Sequence, residues 1–310
     1  MPWVFLARKL SRAFVTILAI VTFVFIILRL SGDPAVQILG ADAGYEALEA
    51  FREKWGLNDP IWQQYLRYLS DLLHGNFGIS LVEGKDALEV VLDRLSKTLQ
   101  LMSLSAVVTL IIGIPIGIYA ALHRGSLRDR AIMAMGVAAF SIPSFVIGIF
   151  LILIFSVALR VLPTAGSDTW RHYVLPVVTM STIDAAVFAR LTRSAMLEVL
   201  SRPYMRTALA KGLRWPIAVR RHALPNAAIP LVTIVGFFVG SLIAGGVVTE
   251  NVFAWPGIGR LLVSSVQNRD SSVVQVIVVM IALSMVTVNF AVDMAYGWLD
   301  PRIRQMNAEA

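Results

Sequence analysis

Few residues in this sequence are arranged to make or break covalent bonds. No Ser–His–Asp grouping lies on a shared face, and neither H-E-x-x-H nor G-x-S-x-G occurs. Gly78 to Asp86 (GISLVEGKD) has the outline of a phosphate-binding loop. That loop needs four residues between its glycines, and a Ser or Thr after Lys to reach Mg²⁺. Here five intervene and Asp86 follows Lys85, so the chain is not expected to hydrolyse ATP. His74, His123, His172 and His222 have no metal-ligand spacing, and without cysteine there is no thiol chemistry and no disulfide. No catalytic, cofactor-binding or metal site is therefore expected. The chemistry on offer is charge. Between Arg190 and Pro230 lie eight basic residues (Arg190, Arg193, Arg202, Arg206, Lys211, Arg214, Arg220 and Arg221) against one acid, Glu198. A lone carboxylate, Asp184, sits just before them inside an apolar run.

The elements that must position these residues are membrane spans. The chain is 57% apolar and only 15% charged, against roughly 25% charge in soluble domains. The apolar runs predict six spans: Ala13–Leu30, Thr98–Leu122, Ala131–Leu159, Tyr173–Ala189, Ile229–Val248 and Val273–Trp298. Each is long enough to cross roughly 30 Å of hydrocarbon. Ser141, Ile142 and Pro143 interrupt the third, which is either tilted or broken there; Ser141 and Pro143 are candidate residues of a solute pathway. Gly113 and Gly117, and again Gly236 and Gly240, are spaced four apart, which permits close helix contact.

Sixteen of the 27 Lys and Arg fall in the N-terminus, His123–Arg130, Arg190–Pro230 and the tail. By the positive-inside rule those segments and both termini are cytoplasmic. The net charge of +7 then needs no nucleic acid to explain it. Residues 31–97, with eleven acids and six bases, form the long extracytoplasmic loop. Within it Tyr45, Leu48, Phe51 and Trp55 predict a helix stopped by Gly56, with Pro60 starting the next. Residues 190–230 read as two short cytoplasmic helices hinged near Gly212. Thr249–Ser272 reads as an outer loop, whose Pro256, Gly257 and Gly259 are turn chemistry or a docking surface.

Two readings of the basic segment are open from composition alone: a solvated or lipid-facing loop, or a structured elbow held by a partner. Asp184 likewise is either a pathway carboxylate or one half of a structural pair, with Arg190 for instance. Asp293 and Asp300 read as neutralising Arg302 or capping helices.

The residues of the elbow go further. RTALAKG (Arg206 to Gly212), nine residues, then HALP (His222 to Pro225) is similar to the EAA signature of ABC importer permeases. Ala208, Gly212, Leu224 and Pro225 match it; Arg206, Thr207 and His222 depart from it. The departures resemble the dipeptide/oligopeptide permease branch (DppB/OppB-like), whose usual form is YxRTAxAKG. Gly32-Asp33-Pro34, Gly75 to Ser80, Ser141 to Phe145, Phe253 with Pro256 to Arg260, Arg269-Asp270, and Asp293 with Tyr296 and Asp300 to Arg302 resemble that branch too.

The resemblance implies an all-α, six-helix permease of the type I ABC importer fold, one domain over 1–310, in a bacterial inner membrane surrounded by lipid. It also implies partners: a second permease (DppC/OppC-like), two ATPase subunits that use ATP and Mg²⁺, and an extracytoplasmic solute-binding protein. The cargo would be a di- or oligopeptide, glutathione, nickel or a sugar. The coupling residues would be Arg206, Thr207, Ala208, Gly212, Leu224 and Pro225. The alternative is a secondary transporter or channel without an ATPase, which calls for inverted repeats with charged, broken helices; no convincing internal repeat is present. A membrane-embedded enzyme lacks its catalytic groups.

Overall fold

The computed structural model describes residues 3–30, 32–40 and 42–299, and nearly all of them are helical. Fourteen α-helices follow in order: α1 (Trp3–Leu30), α2 (Pro34–Leu39), α3 (Tyr45–Lys54), α4 (Ile61–Leu73), α5 (Ala87–Leu122), α6 (Leu127–Ser141), α7 (Ser144–Leu151), α8 (Arg171–Leu200), α9 (Pro203–Ala210), α10 (Trp215–Ala218), α11 (Leu224–Gly245), α12 (Val247–Val252), α13 (Ile258–Gln267) and α14 (Ser271–Leu299). Two π-helical stretches, Ile152–Ala158 and Val219–Ala223, continue α7 and α10.

Among the described residues four helices are long and apolar enough to span a bilayer, over Ala7–Ile27, Ala87–Leu122, Arg171–Leu200 and Ser271–Ala291. A fifth candidate is the pair α6–α7, bent by 95°. Its break falls at Ile142–Pro143, because Pro143 has no N–H to give α6 and biases the preceding residue away from the helical region. The fifth expected span lies on α11, which carries Pro230 inside it. The side chains of 240–245, the surroundings of Gly240 and the side chains of Asp293 and Tyr296 lie outside the described residues, as do Asp300, Arg302 and Arg304.

The chain divides into two compact units. The first comprises 1–96 and 260–286. Its loop region is built by local signals. Asp33 caps α2 by accepting from the Ala35 N–H at 2.9 Å and takes both the Arg52 Nε and Nη2 at 2.9 and 2.7 Å. The Arg52 hydrogen bonds, the Ala35 N–H and the positive charge outweigh desolvation there and hold the Asp33 carboxyl below its ordinary pKa. Gly56 at φ +61° turns the chain between α3 and α4, where the sequence placed the stop. The buried Ser80 hydroxyl donates to Asp270 at 2.5 Å, tying the 76–86 loop to the start of α14.

The second unit comprises 97–259 and 287–310. At its centre α5 crosses α8 with almost no space between them. A side chain at Gly113 would meet Ala185 O and Phe188 Cβ, and one at Gly117 would meet Ala189 O and Thr192 Cβ. Beside this seam Leu101, Met102, Val177, Met180 and Trp255 pack together, and the Trp255 indole donates to Lys97 O at 3.0 Å.

Candidate functional site: the basic elbow

The fourth span does not stop at Ala189. Helix α8 runs on to Leu200, since Leu191 to Leu200 holds good helix formers and no breaker. The chain turns at Ser201–Arg202, and Pro203 opens α9 at a position where its missing N–H costs nothing. After Ala210 the backbone reverses at Gly212, φ +84°, with open space where a side chain would stand. Pro216 lies in the first turn of α10, and the π-helical turn leads into α11, where Pro225 follows Leu224.

The elbow has an inner and an outer face. Met205 and Ala208 of α9, Ala218 of α10, and Val219 and Ala223 are buried with Ala121 of α5, Met196 and Val199 of α8 and Ala227 of α11. The short helices are thus seated on the ends of three long ones. Arg206, Thr207, Lys211, Arg214, Arg220 and Arg221 face out, interleaved with the exposed apolar side chains Tyr204, Leu209, Trp215 and Ile217. Such a mixture of cations and exposed aromatics has the composition of a protein interface rather than of a solvated loop. Of the eight basic residues only Arg193 and Arg202 form ion pairs among the described residues, with Asp129 and Glu198. Of the expected coupling residues, Arg206, Thr207, Gly212 and Pro225 are exposed, Leu224 is half-buried and Ala208 is buried.

Asp129 is the residue that sequence reasoning missed. It is buried at the start of α6 and accepts from Arg193 Nε at 2.6 Å and Nη2 at 2.8 Å, a two-point pair between α6 and α8. The Gly125 N–H donates to it at 2.9 Å, and its own N–H donates to the Ser126 hydroxyl at 3.2 Å. The Arg193 hydrogen bonds hold the Asp129 carboxyl below its ordinary pKa against desolvation. Ser126-Leu127-Arg128-Asp129 is a readable capping box; that its carboxylate meets a cation 64 positions on is not. Glu250 was missed too. Fully buried in the expected outer loop, it accepts from the Thr98 hydroxyl and the Gly259 N–H, both at 2.7 Å, while Thr98 accepts from the Ile258 N–H at 2.8 Å. This polar cluster folds residues 247–259 into structure rather than loop.

Asp184 lies half-buried on α8 with no hydrogen bond or ion pair among the described residues. Ala185, Phe188, Ala189 and Thr192 of the same helix face α5, and Ala186, Val187 and Arg190 line a small cleft with Met133, Gly136 and Val137 of α6. Helical geometry places Asp184 away from both faces, so Arg190 is not its partner. Ser141 is exposed at the α6–α7 break and donates to Val137 O at 2.9 Å. Pro143 is exposed beside it, and neither touches Asp184 through a hydrogen bond.

A family model described as binding-protein-dependent transport system inner membrane component matches residues 113–305, and the N-terminal model for such membrane components matches residues 3–102. The glutathione transport system permease protein GsiC of Shigella flexneri serotype 5b is 42% identical over 288 residues, 93% of this chain and 94% of that protein. GsiC of Escherichia coli strain K12 is 41% identical over the same shares. Among solved structures, an inward-facing MetNI methionine ABC transporter aligns with a TM-score of 0.58 at 20% identity, over 68% of this chain and 96% of that one. An amino acid ABC transporter with histidines aligns at 0.51 and 17% identity, over 67% and 93%. These two likenesses concern the fold.

Proposed function

The chain belongs to the binding-protein-dependent transport system inner membrane component family and is the permease subunit of an ABC importer in the inner membrane, and we propose that its cargo is glutathione or a short peptide of similar size. The observation that carries the cargo is the identity to glutathione permeases along 93% of the chain. As an importer permease it works with another permease subunit, ATPases and a binding protein; we take the second permease to be DppC/OppC-like, and ATP and Mg²⁺ to be handled wholly by two separate ATPase subunits.

The proposed topology has six spans and both ends in the cytoplasm, which puts the elbow on the ATPase side. There Arg206, Thr207, Gly212 and Pro225 offer an exposed surface, while Ala208 and Leu224 seat it on the long helices. Closing of the ATPases on ATP would push α9 and α10, and the shared core with α5, α8 and α11 would pass that push to the spans as a rigid-body tilt. Asp184, a carboxyl side chain without a hydrogen bond or ion pair among the described residues, would meet the ammonium group that glutathione and peptides share. Ser141 and Pro143 would line the same route.

The test is reconstitution. Express the chain with the genes beside it, purify through a tag on this chain, and measure uptake of labelled glutathione, dipeptides and longer peptides into vesicles. The expected result is co-purified ATPase and uptake that needs both ATP and the binding protein. Uptake by this chain alone, driven by an ion gradient, would overturn the importer reading; ATP-driven uptake of nickel or sugar but of no peptide would overturn the cargo.

A further inference from the structure

Helix α4 carries more apolar surface than its own chain covers. At 3.6 residues per turn, Tyr65, Tyr68 and Leu72 share one arc of about 60°, and Trp62, Leu66, Leu69 and Leu73 share the adjoining one, with Gln63, Arg67 and Ser70 opposite. The first arc packs on α1. The rings of Tyr65 and Tyr68 stand 5.2 and 5.3 Å from that of Phe25, and the Tyr65 hydroxyl is 2.6 Å from that of Thr22. The second arc is largely bare: Trp62 is 59% exposed, Leu66 57% and Leu73 88%, while Leu69 is half-buried. On the polar arc Arg67 meets Asp59 at 2.8 Å and donates to Trp55 O at 3.0 Å.

The depth of this attachment decides what covers the bare arc. Thr22 and Phe25 lie inside the apolar stretch Ala7–Ile27, eight and five residues before the end of α1 at Leu30. At 1.5 Å per residue the contact sits about 12 and about 8 Å below that end. An in-plane amphipathic helix buries its apolar face about 5–10 Å into the boundary between headgroups and acyl chains. At the same level α1 exposes Phe23, Ile26, Ile27 and Leu30, so the bare arc continues a surface that already faces lipid. Trp62, with an apolar ring and one N–H, is the side chain that membrane interfaces favour.

We propose that α4 is an interfacial helix whose face of Trp62, Leu66 and Leu73 rests in the lipid of the leaflet at the Leu30 end of α1. In the topology proposed above this is the outer leaflet. It would float the extracytoplasmic region at a fixed height, so that the 31–97 segment is oriented by the bilayer as well as by the protein.

The sequence has no cysteine, so single cysteines at Leu66 and Leu73, with Gln63 and Ser70 as controls, can each carry one environment-sensitive fluorophore. The complete transporter, its partner subunits made cysteine-free, is reconstituted with spin-labelled phospholipid in both leaflets, so the result does not depend on which side is outside. Labels at 66 and 73 should be quenched by the lipid probe at least about threefold more than those at 63 and 70, with the order reversed for aqueous iodide. Iodide quenching at 66 and 73 equal to the controls would place the face in water. Protection from both quenchers would place a protein partner on it. Either result overturns the proposal. Leu73 is so exposed that its replacement leaves the fold intact even if the change at Leu66 does not.

Discussion

Replacing Gly117 with alanine tests whether α5 and α8 are as close as their backbones place them. A Cβ at this position would stand 2.5 Å from Ala189 O and 2.6 Å from Thr192 Cβ, where ordinary contacts begin near 3.4 Å. The carbonyl belongs to the α8 backbone and cannot rotate away, so the helices must separate by roughly an ångström, and overpacking of this kind costs about 1–3 kcal/mol. At Gly113 the same change meets Ala185 O and Phe188 Cβ at 2.8 Å, a milder overlap. Gly136 supplies the control: there a Cβ would be 3.8 Å from its nearest neighbours, both of Ala186. All three changes share the gain of about 1 kcal/mol that alanine brings to a helix interior. Gly136→Ala should therefore be neutral or stabilising, Gly113→Ala intermediate, and Gly117→Ala the least stable, about 1–3 kcal/mol below Gly136→Ala. Unfolding by SDS titration in mixed micelles, followed by helical circular dichroism, measures the order. A Gly117→Ala midpoint at or above that of Gly136→Ala would refute the close crossing.

Four further outcomes follow from the site. Gly212→Ala meets no atoms but must hold φ near +84°, a conformation that costs an L-residue about 1–2 kcal/mol. ATPase recovery in a pull-down should fall by up to about tenfold and be partly restored by Gly212→Asn; equal recovery with alanine would dissociate the turn from docking. Arg193→Ala leaves Asp129 buried without its cation and should cost about 3–5 kcal/mol, more than the double replacement Asp129→Asn with Arg193→Gln; the reverse order would rule the pair out as a structural link. Because the Asp129 carboxyl is depressed in the folded chain, its stabilisation is complete above the ordinary carboxylate pKa of about 4 and is lost as pH falls through the folded value. Stability measured from pH 7 to pH 3 should fall more steeply in the wild type than in the double variant. Asp184→Asn should raise KM for glutathione or peptide uptake by about tenfold or more, the worth of one charge-assisted hydrogen bond, with assembly intact; unchanged kinetics would remove Asp184 from the pathway.

Of the six expected spans, four coincide with long apolar helices and the third with the bent pair α6–α7. These were legible because a bilayer demands long apolar helices and little else does. Gly56 with Pro60, and Pro143, were legible because their effect is local: each changes the backbone within a residue or two of itself. Helix α8 runs past Ala189, the expected end of the fourth span, because the membrane boundary, which charge marks, is not the helix boundary, which breakers mark. Thr249–Ser272 was read as an outer loop, with Pro256, Gly257 and Gly259 as turn chemistry or a docking surface, and nothing near Glu250 tells that its carboxylate is satisfied by Thr98 over 150 positions away. The same holds for Asp129 and Arg193. Pairings between distant polar residues are set by the tertiary fold, and a single sequence carries no mark of them.

The break between α6 and α7 also bears on what the membrane can hold back. Helix ends leave backbone carbonyls and N–H groups without helical partners, and in hydrocarbon these are tolerated only against protein or water. Wherever that break lies within hydrocarbon, the freed groups beside Ile142 and Pro143 require cover from protein or water. Beyond the break, Gly148 of α7 lies so near Val252 and Phe253 that an added methyl would come within 3.2 Å of each. A larger side chain at 148 would therefore force α7 away from Val252 and Phe253 and open the seam between them.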